Sequence, residues 1–102
     1  MQATGLTAVD AATGRYALSG PAGFQTATGL LPAGAALFRP QGTVEIDLKD
    51  VGPVDSAGLA LLICWLSRAR SAGCALRYTN VPAALRAIAR ISDAEALIDR
   101  GV

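Results

Sequence analysis

The chain has 102 residues, 52% of them apolar and 17% charged, a balance that excludes a disordered or polyelectrolyte chain and suits one domain, residues 1–102, around an aliphatic core. Nine Lys and Arg against eight Asp and Glu give a net charge of +1, so no long-range field draws the protein to nucleic acid or to an anionic membrane. Histidine is absent, which removes the commonest general base, the usual metal ligand and the ordinary Ser-His-Asp route to a nucleophile.

The amino-terminal stretch lacks a basic segment followed by an apolar run, so no secretory signal is expected. Leu6 to Val9 and Arg15 to Leu18 are strand candidates joined by the turn formers of Asp10-Ala11-Ala12-Thr13-Gly14, and together predict a hairpin. From Gly20 to Gly42 the chain is rich in Gly, Ala and Pro. Leu30, Leu31, Leu37 and Phe38 could line one side of a helix there, but Pro32 and Gly34 interrupt it. Thr43 to Leu48 alternates apolar and polar residues with a β-branched bias, the period of a strand with one buried face. Lys49 to Pro53 is then expected as a loop.

Ser56 is a good N-cap for a helix running to about Ala72, with Gly73 as the residue that closes it and Arg68 and Arg70 near the negative end of its dipole. The longest apolar run, Ala57 to Leu66, lies inside this helix and is far below the roughly 20 residues needed to cross a bilayer. A cytoplasmic protein without direct membrane insertion is expected. Cys74 to Thr79 reads as another strand. Pro82 opens a further helix that ends near Ile91 with Leu85, Ile88 and Ala89 on one face, and Ser92-Asp93-Ala94-Glu95 matches a capping box before a short helix holding Ala96, Leu97 and Ile98. Cys64 and Cys74 lack the spacing of a metal or redox pair and are expected as free, packed thiols. The order predicts an α/β fold, a mixed four-stranded sheet covered mainly on one face by three to four helices.

Val44-Glu45-Ile46-Asp47-Leu48 followed by Val54-Asp55-Ser56-Ala57-Gly58-Leu59-Ala60-Leu61-Leu62 resembles the strand and helix-start signature of STAS domains. Leu76 to Arg90 looks more narrowly like the STAS subunit of bacterial Mla phospholipid transporters, ABC systems that maintain outer-membrane lipid asymmetry. The resemblance implies the STAS fold and a module without catalytic activity or cofactor that binds the cytoplasmic ATPase of such a transporter, within a complex containing a permease. It also implies an alternative, an anti-sigma-factor antagonist whose partner is a serine kinase. In STAS domains the hydroxyl matched by Ser56 is a phosphorylation site in those antagonists, and it lies at the ATPase contact in the transporter subunit. Ala57 departs from the second Ser that many phosphoregulated relatives carry.

The residues of the junction suit docking, but on spacing alone they favour an ordinary helix cap, and it is the resemblance that turns the balance to docking. Ser56 presents a hydroxyl beside the unpaired N–H groups of the first turn, Asp55 adds a carboxylate at the positive end of the dipole, and Gly58 lets another backbone come close. A Ser56 phosphate would suit the helix start electrostatically and obstruct a partner seated on it. At 100° per residue, Leu59, Leu62, Ile63, Leu66 and Ala69 form a core stripe, while Leu61, Trp65 and Arg68 fall on another side. The candidate binding surface is therefore Asp55, Ser56, Ala57, Gly58, Leu61, Trp65 and Arg68. For Trp65 an equal alternative is packing beneath the Gly20 to Gly42 segment. The chain has no GxxxxGK[ST] phosphate loop, so any ATP belongs to a partner, and no His or suitably placed Lys makes Ser56 a nucleophile. The arginines lack the interleaved aromatics of a nucleic-acid surface.

Overall fold

The structure is a computed structural model that describes residues 5–101, apart from the side chains of Phe24 and Gln25. The signal-peptide expectation rests in part on residues 1–4, which lie outside the described residues.

The hairpin forms as expected, with β1 (Gly5–Asp10) antiparallel to β2 (Arg15–Ala22) and Leu6 opposite Leu18. A single 3-10 turn joins them and closes on Gly14 at φ 75°, a left-handed value that favours glycine. β3 (Thr43–Asp47) and β5 (Ala75–Thr79) are parallel to β2 and to each other, in the order β1-β2-β3-β5. Alternation assigns the faces. Val44, Ile46, Leu76 and Tyr78 are buried, whereas Thr43, Ala75 and Arg77 are exposed on the opposite side. That open face carries Arg15, Glu45 and Arg77 side by side in register, with a loose Arg15–Glu45 pair at 3.9 Å that adds little stability in water.

Two expectations change. Lys49 to Pro53 is not all loop, because Val51–Val54 forms β4, parallel to the far end of β2 with Gly20 opposite Val51 and Ala22 opposite Val54. Four residues with a Pro and a Gly carry no alternation. The pairing depends on β2 running four residues beyond the predicted Leu18, and on Gly52 packing its backbone against Gly20 and Pro21. The second change is at the carboxyl end. The short helix is α4 (Glu95–Arg100), but Ala94 stands at its cap and Ser92 instead closes α3 (Ala83–Ile91). Glu95 turns to Arg90 (3.2 Å) rather than back to the cap, so the predicted capping box does not form.

The helix interrupted on paper is continuous: α1 spans Phe24–Ala35 with Pro32 inside it. Pro32 is exposed and Gly34 is buried against the indole of Trp65 on α2 (Ser56–Ala72), so both breakers are tolerated for reasons outside their own helix. The Trp65 indole Nε1 donates to the Leu31 carbonyl at 3.1 Å. Behind α2, the Tyr78 hydroxyl donates to the Leu62 carbonyl at 2.6 Å. Its burial pushes the phenol well above its ordinary value, with Cys64 nearby as the smaller cause, and so holds it as a neutral donor. Gly73 closes α2 at φ 75°, with its N–H on the carbonyls of Ala69 and Arg70. Both cysteines are free; Cys74 is buried, but Cys64 is exposed, against the expectation that it packs.

Trp65 is fully buried between two helices and the sheet, so Trp65→Ala is expected to cost about 3–5 kcal/mol in urea unfolding. A cost under about 1 kcal/mol would show that the seam can collapse around the gap. Asp47 is held below the usual carboxylate range by the Lys49 N–H at 2.8 Å, with partial burial opposing and the Asn80 side chain at 3.1 Å assisting. A depressed carboxylate adds stability above its unfolded pKa and loses it as pH falls through the folded one. The stability advantage of wild type over Asp47→Asn is therefore expected to shrink as the pH is lowered from about 5 to about 3, in paired melts.

Candidate functional site

The C-terminal ends of β3, β4 and β5 and the first turn of α2 lie at the same end of the parallel strands, where α/β sheets place their binding groups. Asp55, the residue between β4 and α2, has extended backbone (φ −118°, ψ −173°) and its Oδ1 accepts the Gly58 N–H at 3.0 Å. It is the N-cap. The expectation that Ser56 caps the helix is corrected: Ser56 is the first helical residue, exposed, and its hydroxyl has no hydrogen-bond partner among the described residues. The cap is Asp55 because β4 delivers the chain one residue earlier than sequence spacing suggests.

Gly23, the cap position of α1, lies against the same carboxylate: a Cβ there would stand 2.7 Å from Asp55 Oδ2. The starts of α1 and α2 thus converge on Asp55, and Gly23 leaves the room for it. Gly58 is buried, and a Cβ on it would be driven into the Ala22 carbonyl and to 3.1 Å from Val54 Cγ1. The backbone that Gly58 admits is the chain's own β2, so the expectation of Gly58 as a contact for a partner is also corrected.

The other candidates separate by exposure. Ala57 is half-buried at the surface of the first turn, and Arg68 is exposed. Leu61 and Trp65 are buried at 4% and 0%, which leaves neither side chain exposed for docking, and the Trp65 indole packs on Leu31 and Gly34 of α1, within the Gly20 to Gly42 segment that its alternative reading named. Ser56, Ala60, Cys64 and Arg68 are exposed instead and form one row at spacing i+4 along the outside of α2, with Ser67, Arg70 and Ser71 exposed near its end. Sequence reasoning missed Ala60 and Cys64. The available signal was that they are the small residues at i+4 and i+8 from Ser56 in a helix otherwise rich in Leu and Ile. Arg68 lies about 18 Å along the axis from Ser56, at 1.5 Å per residue.

Among the described residues, no cluster of three or more His, Cys, Asp or Glu is placed to hold a metal. Among them, no helix is long and apolar enough to cross a membrane. Arg68 and the row that leads to it offer directional hydrogen bonding and close backbone approach, the chemistry of a protein contact.

A mixed sheet with helices on one face and an exposed serine at a helix start defines a small α/β recognition module. The chain belongs to the STAS-domain family: the family model described as "Mlab, STAS domain" matches residues 6–99. Domains of this family act in general as non-catalytic binding or regulatory modules, commonly through protein–protein contacts. No curated protein matches the chain. A solved structure described as "Crystal Structure Analysis of Mglu" superposes with a TM-score of 0.56 at 19% identity, over 76% of this chain and 19% of that one. At that identity the likeness shows the fold alone, and this chain spans 19% of that chain's length.

Because the missing side chain at Gly58 meets backbone rather than a movable side chain, Gly58→Ala is expected to lower unfolding stability by about 1–3 kcal/mol. An unchanged urea midpoint would show that α2 is free to shift away from β2.

Proposed function

We propose that this chain is a non-catalytic accessory subunit that binds and regulates the cytoplasmic ATPase of an Mla-type phospholipid ABC transporter, docking through the head of α2. The carrying observation is Ser56: exposed, without a hydrogen-bond partner for its hydroxyl among the described residues, at the first position of a helix whose cap is already supplied by Asp55. A hydroxyl not consumed by its own helix is available to another chain. Ala57, Ala60 and Cys64 beside it are small, so a partner helix can approach α2 closely. The match to a family model described by the Mlab name, and the likeness of Leu76 to Arg90 to transporter subunits, favour the ATPase over an anti-sigma-factor kinase. The subunit would sit at the cytoplasmic side of the inner membrane through that partner.

Phosphorylation of Ser56 would act on docking rather than on folding. The Asp55 carboxylate already fills the helix start, so a phosphate one residue on faces a like charge there and gains less from the dipole than an empty cap would offer. This revises the expectation that it stabilises the module.

The test is an affinity pull-down from the native host with wild type and Ser56→Asp. Wild type is expected to recover an ABC ATPase with its permease. Ser56→Asp is expected to recover at least about tenfold less while its unfolding stability stays within about 0.5 kcal/mol. Full recovery by Ser56→Asp removes the head of α2 from the interface, and recovery of a serine kinase in place of the ATPase replaces the proposal with the antagonist.

A further inference from the structure

Acidic residues are confined to a few places in this chain: Asp10, Glu45, Asp47, Asp50, Asp55, Asp93, Glu95 and Asp99. None falls between Ala11 and Val44 or between Ser56 and Ser92, so α1, α2 and the segment that follows α1 contain no carboxylate. The charges they do carry are Arg39, Arg68 and Arg70, all exposed and without an ion pair among the described residues, whereas Arg86 and Arg90 of α3 are neutralised by Asp99 and Glu95 of α4. The end of the α1–α2 layer away from Ser56 is therefore uniformly cationic.

At that end, where α1 stops at Ala35, lies a groove of about 480 Å³ lined by Ala35, Phe38, Ser67, Arg68, Ser71 and Ala72. Phe38 is buried and Ala35 and Ala72 are half-buried, giving an apolar floor, while Ser67, Arg68 and Ser71 are exposed on the α2 wall. The groove needs no donor from the ligand to complete the helix, since the carbonyls of Ala69 and Arg70 are taken by the N–H groups of Gly73 and Cys74. Its unmet chemistry is one guanidinium, two hydroxyls and an apolar floor, with no acid on any lining residue.

We infer that this groove is a second docking site, taking a segment of the ATPase in which an apolar side chain is flanked by carboxylates. The inference rests on the proposed function and extends it. The apolar side chain covers Phe38, Ala35 and Ala72, and a carboxylate pairs with Arg68, with Ser67 and Ser71 as further donors. The exposed row from Ser56 through Ala60 and Cys64 ends at Arg68, so one partner surface reaches both sites across about 18 Å.

The test measures binding of the ATPase–permease complex to the full chain carrying Arg68→Glu, Arg70→Glu or Ser71→Trp. Arg70 is the internal control, because it undergoes the same charge reversal about 200° round the helix from Arg68, away from the groove. Arg68→Glu and the groove-filling Ser71→Trp are each expected to weaken binding at least about tenfold, and Arg70→Glu less than about twofold. Equal losses for Arg68→Glu and Arg70→Glu that vanish in high salt would mean general electrostatics and overturn the groove, as would full binding by Arg68→Glu or Ser71→Trp. Those results leave the Ser56 contact standing. Failure of wild type to bind the ATPase overturns both.

Discussion

The indole of Trp65 sits where α1 crosses α2, donating to the Leu31 carbonyl and resting on the bare backbone of Gly34. One side chain thus bridges the helices by a hydrogen bond and by close packing, and the rest of the surface depends on it. With α1 pressed onto that side of α2, Leu61 and Trp65 become core. The row Ser56, Ala60, Cys64 and Arg68 becomes the outside of the helix, and the end of α1 at Ala35 leaves the groove beside Arg68. A residue type enriched at binding hot spots here shapes the proposed binding surface from beneath.

The other end of α2 is held by a different device. The Asp55 carboxylate satisfies the Gly58 N–H and lies against Gly23, while Gly58 lets α2 rest on the last carbonyl of β2. Backbone contacts have little freedom to adjust, so the head of α2 is placed by the sheet and by α1 together. This division of labour explains why Ser56 is spare. The neighbouring carboxylate does the capping, and the Ser56 hydroxyl is exposed at a position whose geometry is fixed by Asp55, Gly23 and Gly58.

Charge follows the same plan. The open face of the sheet mixes Arg15, Glu45 and Arg77 in register, a solvated pattern with no preferred sign. The α1–α2 layer has the Asp55 carboxylate beside Ser56 and is cationic near Arg68. A surface graded in this way along one helix would fix the direction in which the proposed partner lies across it, since reversing the partner would leave the cationic end unmatched.

Much of the protein was legible in its sequence because the deciding interactions are local. The alternation of Thr43 to Leu48, the left-handed stop at Gly73, the helix after Pro82 and the signature around Asp55 to Leu59 all act within a few residues, and they gave the α/β architecture and the place of the candidate site. What the tertiary structure decided involves partners far apart in the chain. β4 exists because β2 extends past Leu18 to meet it, and α1 survives Pro32 and Gly34 because one is solvated and the other accommodates Trp65, 31 positions away in sequence. Helical periodicity placed Leu61, Trp65 and Arg68 on one side of α2 correctly. It could not show that the first two are buried and the third exposed, because periodicity reports which residues share a face and only packing determines what that face meets.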